Sequence, residues 1–297
     1  MPERRRLPRP DWLKVSLKTT ENFQKVGELI SDHSLHTVCQ EARCPNIYEC
    51  WNQRTATFMI LGDVCTRRCG FCSVKKGKPD AVDCHEPENV AKAAEKMGLG
   101  YAVVTSVDRD DLPDGGAEHF ARTIEAIRAR IPHCRVEVLI PDFSGRQDLL
   151  GIVLDARPDV LAHNLETVKA LYRRVRPIAV YERSLAILRA AAENSAATRL
   201  TIRTKCGIML GLGETTDEVL DTMRDIAATG CDIITIGQYL SPKLNSLPVE
   251  KFYTPAEFEF FREKALEFGV KHAESAPLVR SSYHADRAHT ETQKTNG

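Results

Sequence analysis

Runs of apolar, mostly β-branched residues alternate along this chain with longer stretches whose apolar side chains recur three and four residues apart. The apolar runs are ATFMIL (56–61), YAVVTS (101–106), CRVEVLI (134–140), DVLAHN (159–164), RLTIRTKC (199–206) and CDIITIG (231–237). Between them lie amphipathic stretches such as Pro87 to Met97, Ala117 to Ile131, Tyr181 to Asn194 and Thr215 to Thr229, each long enough for a crossover helix. One more, Thr254 to Phe268, precedes a polar tail. Near-continuous apolar strands alternating with helices predict an α/β protein with a parallel sheet. Periodicity alone leaves both an open doubly wound sheet and part of a (β/α) barrel in view. In either, ligands sit at the carboxyl ends of the strands, so the loops after the six runs are where function is sought. Upstream, residues 1–20 are rich in Arg, Lys and Pro without periodicity, and residues 21–55 read as a short helix followed by cysteines.

Composition narrows the class. With 297 residues, 42% of them apolar, 17 Gly and 15 Pro, the chain has the make-up of a folded globular protein of one large or two modest domains. Lys plus Arg is 41 and Asp plus Glu is 41, so there is no overall field to gather nucleic acid or an anionic membrane, and neither is expected as a partner. No apolar run approaches the roughly 18–20 residues of a membrane helix. The start, MPERRRLPRPDW, lacks the apolar core of a secretory signal, so a cytoplasmic location is expected. A local basic bias at Arg4, Arg5, Arg6, Arg9, Lys75, Lys76 and Lys78 is read either as solvated charge or as a patch that steers an acidic protein partner at a rate that falls with salt.

Cysteine carries the chemistry. Seven of the ten fall between residues 39 and 84. In a reducing compartment such clustering points to metal rather than to disulfides. Cys65, Cys69 and Cys72 lie within CTRRCGFC, four residues after the first apolar run, where a site should be. Three thiolates in eight residues are one short of a closed zinc site, and a four-iron cluster so held keeps one iron open for a small molecule. A zinc site completed by His85 is the rival reading. Cys39, Cys44 and Cys50, in CQEARCPNIYEC, also stop at three. Cys84, Cys134, Cys206 and Cys231 read as small buried or neutral residues.

CxxxCxxC with Phe71 before its last cysteine resembles the radical S-adenosylmethionine (SAM) superfamily, and GIMLGLGE (207–214) resembles its GxxxGxxE strand. The resemblance extends to lipoyl synthases through CQEARCPNIYEC, TSVDRDDLPDGG (105–116), EVLIPDF (137–143), ETVKALYRRVRP (166–177), TKCGIMLGLGE (204–214) and RSSYHAD (280–286), nearly the whole chain from about Trp12. It implies a partial (β/α)6 TIM-like barrel with N-terminal and C-terminal extensions. The segments would be 1–55 with the auxiliary cysteines, 56–250 as the barrel, and 251–297 with a helix and the RSSY tail.

The activity implied is radical insertion of two sulfur atoms at carbons six and eight of a protein-bound octanoyl-lysine. Two 4Fe-4S clusters and S-adenosylmethionine are implied as cofactors. Cys65, Cys69 and Cys72 would hold the catalytic cluster, and Cys39, Cys44, Cys50 and Ser282 the auxiliary cluster that donates sulfur. A serine oxygen is a harder ligand than thiolate and a poorer match to iron, which suits a cluster that is dismantled. Contacts to the sulfonium cofactor are expected from Phe71, Thr105, Ser106, Asp108, Asn164, Glu166, Arg203, Gly207 and Gly211. Their plainer readings are a solvated charged loop for Asp108 to Asp111, a helix N-cap for Asn164 and Glu166, and a glycine turn before a helix capped by Glu214 for the last. Expected partners are an octanoylated lipoyl carrier domain or protein and a small reducing protein such as ferredoxin or flavodoxin, with the enzyme a monomer. The loop QYLSPKLNSLPV (238–249), at Lys243 to Ser246, and Ala162 depart from the family pattern. The rival classes are a biotin-synthase-like sulfur-inserting enzyme and a zinc or electron-transfer protein.

Overall fold

The computed structural model describes residues 7–198 and 201–282. Ahead of the barrel come α1 (Glu21–Asp32), the two-residue strand β1 (His36–Thr37), α2 (Val38–Glu41) and α3 (Ile47–Asn52). The six apolar runs become β2 (Thr57–Ile60), β5 (Tyr101–Ser106), β6 (Arg135–Leu139), β7 (Val160–Ala162), β8 (Arg203–Leu210) and β9 (Ile233–Gln238). The crossovers are α4 (Glu86–Met97), α5 (Ala117–Arg130), α6 (Gln147–Asp155), α7 (Tyr172–Val175) with α8 (Tyr181–Thr198), and α9 (Thr216–Ala227). A two-stranded ribbon, β3 (Val64–Cys65) with β4 (Lys75–Lys76), frames the second cysteine loop. The chain closes with α10 (Pro255–Glu267) and β10 (His272–Ser275).

All pairings in the large sheet are parallel except β1 on β2, and its order is β1-β2-β5-β6-β7-β8-β9-β10. Six βα units thus curve as a partial barrel. Its edges are β1 and β10, which are not hydrogen-bonded to each other. The segment after α10 is therefore not only a polar tail. HAES, four residues of mixed polarity, carries no strand signal of its own and is recruited by the exposed ladder of β9.

The β8 strand continues past its apolar run through Gly207, where Asn164 and Thr235 leave no room for a Cβ. The nine residues of α6, a segment to which the sequence pattern assigns no helix, bury a stripe of Leu149, Leu150, Val153 and Leu154 despite Gly151. Thr215, not Glu214, caps α9, in a capping box with Glu218. Glu214 instead accepts from the backbone N–H groups of Gly211 (2.5 Å) and Leu212 (2.9 Å). At φ +110°, Gly211 needs glycine: a Cβ would lie 2.2 Å from Gln238 Nε2 and 2.6 Å from the Lys251 carbonyl.

At the closed end of the barrel the Lys205 ammonium, 1% exposed, donates 2.9 and 3.2 Å bonds to the Glu137 carboxylate. The Tyr101 hydroxyl donates to the same group at 2.7 Å. This fully bonded pair occupies the interior below the site.

Candidate metal and cofactor site

The carboxyl ends of the strands open into a cavity of about 610 Å3. Two cysteine loops form its walls. In the first, Cys39 heads the short α2 just after β1, Cys44 follows a residue, Arg43, held at φ +53°, and Cys50 lies in α3. The Cys44 N–H donates to the Cys39 carbonyl at 3.1 Å, which folds the loop on itself. Cys39 and Cys44 line the cavity. The Cys50 thiol sits behind them, close enough to both that the three thiolate charges would repel.

The second loop, Cys65 to Cys72, is tied down along its length. The Asp108 N–H points at the Cys65 sulfur at 3.3 Å, the Thr66 N–H donates to the Asp108 carbonyl at 3.0 Å, and the Gly70 N–H donates to the Val175 carbonyl at 2.8 Å. Cys65, Cys69 and Cys72 all line the cavity, and each thiolate would feel the others. Ser73, directly after Cys72, donates its hydroxyl to the Glu41 carbonyl and so joins the two loops.

Burial pushes these thiols up, Cys39, Cys65 and Cys69 to about 11 and Cys50 to about 12. Burial also raises Cys44 and Cys72. As free groups they are protonated at neutral pH, so any metal centre they take up displaces protons. Among the described residues no three His, Cys, Asp or Glu side chains gather as one metal ion would require. His85, the sequence candidate for completing a zinc site, stands outside the cavity before α4, its N–H on Asp83.

Between the cysteines of the second loop, Arg67 is buried and bonds three carboxylates: Asp108 at 3.2 Å, Asp110 at 2.7 Å and Asp142 at 2.6 Å. Burial works against its charge, yet these acids hold its pKa above the ordinary arginine value. Arg109 is buried too, bonded to Asp111 and to the Leu61 and Asp80 carbonyls. Asp108 and Arg109 are therefore pinned in place, while Asp110 and Asp111 keep the exposure of a solvated loop as they pair with Arg67 and Arg109.

Across the cavity, burial raises the Glu166 carboxyl, and Arg176 and the Asn164 amide partly offset that. Glu166 holds φ +68° and bridges to β8: its N–H donates to the Gly207 carbonyl and its own carbonyl accepts from Met209, both at 2.9 Å. Asn164 and Glu166 are thus not a helix N-cap, since the next helical turn starts at Lys169. Arg176 is held by the Asn164 carbonyl at 2.7 Å and the Leu165 carbonyl at 3.2 Å. Asn164 Oδ1 and Ser106 Oγ are buried without a protein partner, so both can still bond a ligand.

Thr105, Ser106, Asp108, Phe71, Asn164, Glu166, Gly207 and Ser282 all line the cavity. Arg203 and Gly211 do not. Arg203 starts β8, at the end opposite the cavity, and Gly211 lies in the turn beyond it, so both are withdrawn as cofactor contacts. Arg4, Arg5, Arg6 and Tyr283 lie outside the described residues. Lys75 pairs with Asp63, Lys76 donates to the Cys69 carbonyl at 3.0 Å, and Lys78 is exposed. Lys243, in the divergent loop, donates to the Ser73 carbonyl. Ala162 is a buried residue of β7. Cys134, Cys206 and Cys231 are buried, while Cys84 is exposed.

Spacing did not reveal Arg67, Arg176 or His163, because tertiary contact alone recruits them. His163 Nδ1 donates to the Ile140 carbonyl at 2.9 Å, and Nε2 accepts from the Ser184 hydroxyl at 3.0 Å. Burial, with Arg176 nearby, depresses its pKa to about 4. The unfolded chain, with a histidine near 6.5, then binds the proton that the folded chain refuses. The stability this neutral histidine contributes is present above pH 6.5 and is lost as pH falls toward 4. Lowering the pH from 7 to 5 is expected to cost the metal-free chain about 2 kcal/mol through this group. A His163→Gln chain should lack that component, so parallel urea midpoints for the two chains over this range would reject the assignment.

Comparison with known proteins places the chain in a family. The radical SAM superfamily profile matches residues 59–226, and that of the N-terminal domain of lipoyl synthase of the radical SAM family matches residues 1–44. Over 278 residues the chain is 58% identical to the lipoyl synthase of Symbiobacterium thermophilum, covering 94% of this chain and 86% of that one. Over 283 residues it is 56% identical to that of Rubrobacter xylanophilus, covering 95% and 87%. Among solved structures it is similar to methylornithine synthase, with a TM-score of 0.53, 14% identity and coverage of 84% and 81%. It is also similar to SuiB of Streptococcus suis, with a TM-score of 0.54, 10% identity and coverage of 91% and 59%. These two likenesses concern the fold alone.

Proposed function

The chain belongs to the lipoyl synthase family of the radical SAM superfamily, and from that premise we propose how its own residues divide the work. The family's activity is this chain's: sulfur insertion at carbons six and eight of an octanoyl-lysine on a lipoyl carrier, with S-adenosylmethionine and 4Fe-4S clusters. When bound, the cluster with an open iron supplies the hydrogen-abstracting radical from the sulfonium cofactor, and the auxiliary cluster supplies sulfide.

Cys65, Cys69 and Cys72 hold the first cluster; Cys39, Cys44, Cys50 and Ser282 hold the second. The observation that carries this reading is that two three-thiol loops, each one donor short, meet at one cavity whose wall also includes Ser282. Asn164, Ser106, Thr105, Phe71 and Gly207 line the cofactor's space, and Glu166 and Asp108, countered by Arg176 and Arg67, set its charge. Much of the catalytic gain is positional, since a radical must meet one carbon and no other.

We assign residues 1–55 to the auxiliary thiols, 56–250 to the radical-forming barrel and 251–297 to the tail with the serine. A ferredoxin- or flavodoxin-like protein is the electron donor, the enzyme acts as a monomer, and it works in the cytoplasm. Support for the last is ten free cysteines, a pattern that persists in reducing compartments. No described helix is long and apolar enough to cross a membrane.

The test is anaerobic turnover of an octanoyl-lysine peptide with S-adenosylmethionine and a reductant, followed by mass spectrometry. The expected result is a peptide that gains two sulfurs, with matching 5′-deoxyadenosine. Nucleoside without sulfur gain would move the search to another acceptor.

A further inference from the structure

The auxiliary thiol loop follows edge strand β1, and the serine-bearing tail follows edge strand β10, so the two halves of this site arrive from opposite edges of an open sheet. What brings them together is described by few bonds. After β10 the chain continues along β9: the Ala276 N–H donates to the Ile236 carbonyl at 3.1 Å, and the Gln238 N–H donates to the Pro277 carbonyl at 3.2 Å. The tail then turns, with the Val279 N–H on the Ala276 carbonyl at 3.1 Å, and crosses Gly237 so closely that a Cβ there would stand 2.1 Å from the Val279 carbonyl oxygen. At this crossing Asn46, which lies between Cys44 and Cys50 and is 4% exposed, donates from Nδ2 to the Leu278 carbonyl at 2.8 Å. Asn46 precedes α3 but makes no side-chain cap to that helix, so its amide serves the tail and not the local turn.

We infer that Asn46 is a positioning residue that latches the tail onto the auxiliary cysteine loop, fixing Ser282 opposite the three thiols, with Gly237 as the clearance that lets the tail lie there. The inference rests on the assignment of Cys39, Cys44, Cys50 and Ser282 to one centre. Three residues separate Leu278 from Ser282, few enough that the latch restricts where the hydroxyl can go. A hydroxyl oxygen is the weakest iron ligand of the four, so its corner is the one most dependent on being held in place. Outer groups that orient ligands commonly help a metal site hold its metal.

The test uses the full-length chain with Cys65, Cys69 and Cys72 replaced by Ala, reconstituted anaerobically, so that every iron counted sits in the second site. Iron loss to a chelator is timed for this chain and for versions that add Asn46→Ala, Gly237→Ala, Ser282→Ala or Asn46→Ala with Ser282→Ala. The expected result is loss about fivefold faster with Asn46→Ala, the scale of one net hydrogen bond. Gly237→Ala, which moves the tail without touching the thiol loop, should accelerate loss as well. Asn46→Ala should add nothing once Ser282 is gone, since the latch acts through that residue.

In the reciprocal chain, with Cys39, Cys44 and Cys50 replaced by Ala, Asn46→Ala should leave iron retention unchanged; equal acceleration there would mean general destabilisation and overturn the latch. If Ser282→Ala accelerates loss while Asn46→Ala and Gly237→Ala do not, the latch is wrong and the four-ligand site stands. If Ser282→Ala has no effect, the four-ligand assignment itself falls, and the latch with it.

Discussion

A Cys39→Ala chain is expected to go on releasing 5′-deoxyadenosine from S-adenosylmethionine while its octanoyl-lysine peptide comes back without sulfur. The loss of sulfur insertion should exceed the roughly 10- to 100-fold that a change in an outer-shell partner costs a metal site, because a direct ligand is removed. The separation is expected from the fold. Cys39 stands after β1, in a loop that leans on α3 and the tail, whereas Cys65, Cys69 and Cys72 are held by backbone bonds to Asp108 and Val175. The Ser73 hydroxyl on the Glu41 carbonyl and the Arg43 and Lys243 contacts to neighbouring loop carbonyls link the walls nearby. Mass spectrometry of peptide and nucleoside from one reaction reads both outcomes. Continued sulfur insertion would remove Cys39 from the donor site; loss of both products would mean that the two triads do not act separately.

The largest effect on stability is expected from Arg67→Met. The guanidinium is 3% exposed and is the shared partner of Asp108, Asp110 and Asp142, and Asp142 is itself fully buried. Removing the cation leaves Asp142 with only Arg183, at 3.3 Å, as an ion-pair partner. Breaking a buried pair in this way costs about 3–5 kcal/mol, far more than a surface bridge, because an uncompensated charge remains. The metal-free chain should show this as a fall in the urea midpoint. An Asp142→Asn change made in the Arg67→Met chain should restore part of the loss by removing the stranded charge. If the single change costs less than about 1 kcal/mol, the cost of an exposed pair, Arg67 is not the anchor of the cysteine loop that its contacts suggest.

Sequence pattern made the barrel legible where one element decides its own structure. The runs at 101–106 and 231–237 became strands almost residue for residue, because an apolar β-branched run buried on both faces has few alternatives. The two cysteine triads were legible from spacing, and Ser282 only through the family resemblance, since a Ser-Ser pair in a tail has no signature of its own. Strand β10 was not legible: its four residues are specified by the ladder of β9. Arg203 was misplaced because a charged residue on a strand does not say which end of the barrel it faces, and that depends on where β8 starts. Arg67, Arg176, His163 and Asn46 were missed for a related reason. Each acts through partners far away in sequence, as in the 75 residues from Arg67 to Asp142 or the 232 from Asn46 to Leu278.

That last separation bears on how the protein is made. The cysteine loop leaves the ribosome early, but the carbonyl that Asn46 holds is translated 232 residues later, which at about 5–20 residues per second is a delay of roughly 10–50 s. During that interval Cys39, Cys44 and Cys50 are present without the tail that is to lie against them. The Trp12 indole N–H on the Tyr253 carbonyl, at 3.3 Å and 241 residues apart, closes on the same late schedule. The two ends of the chain are therefore the last parts to meet, and a cluster delivered to the thiols before release would find its pocket still open on one side.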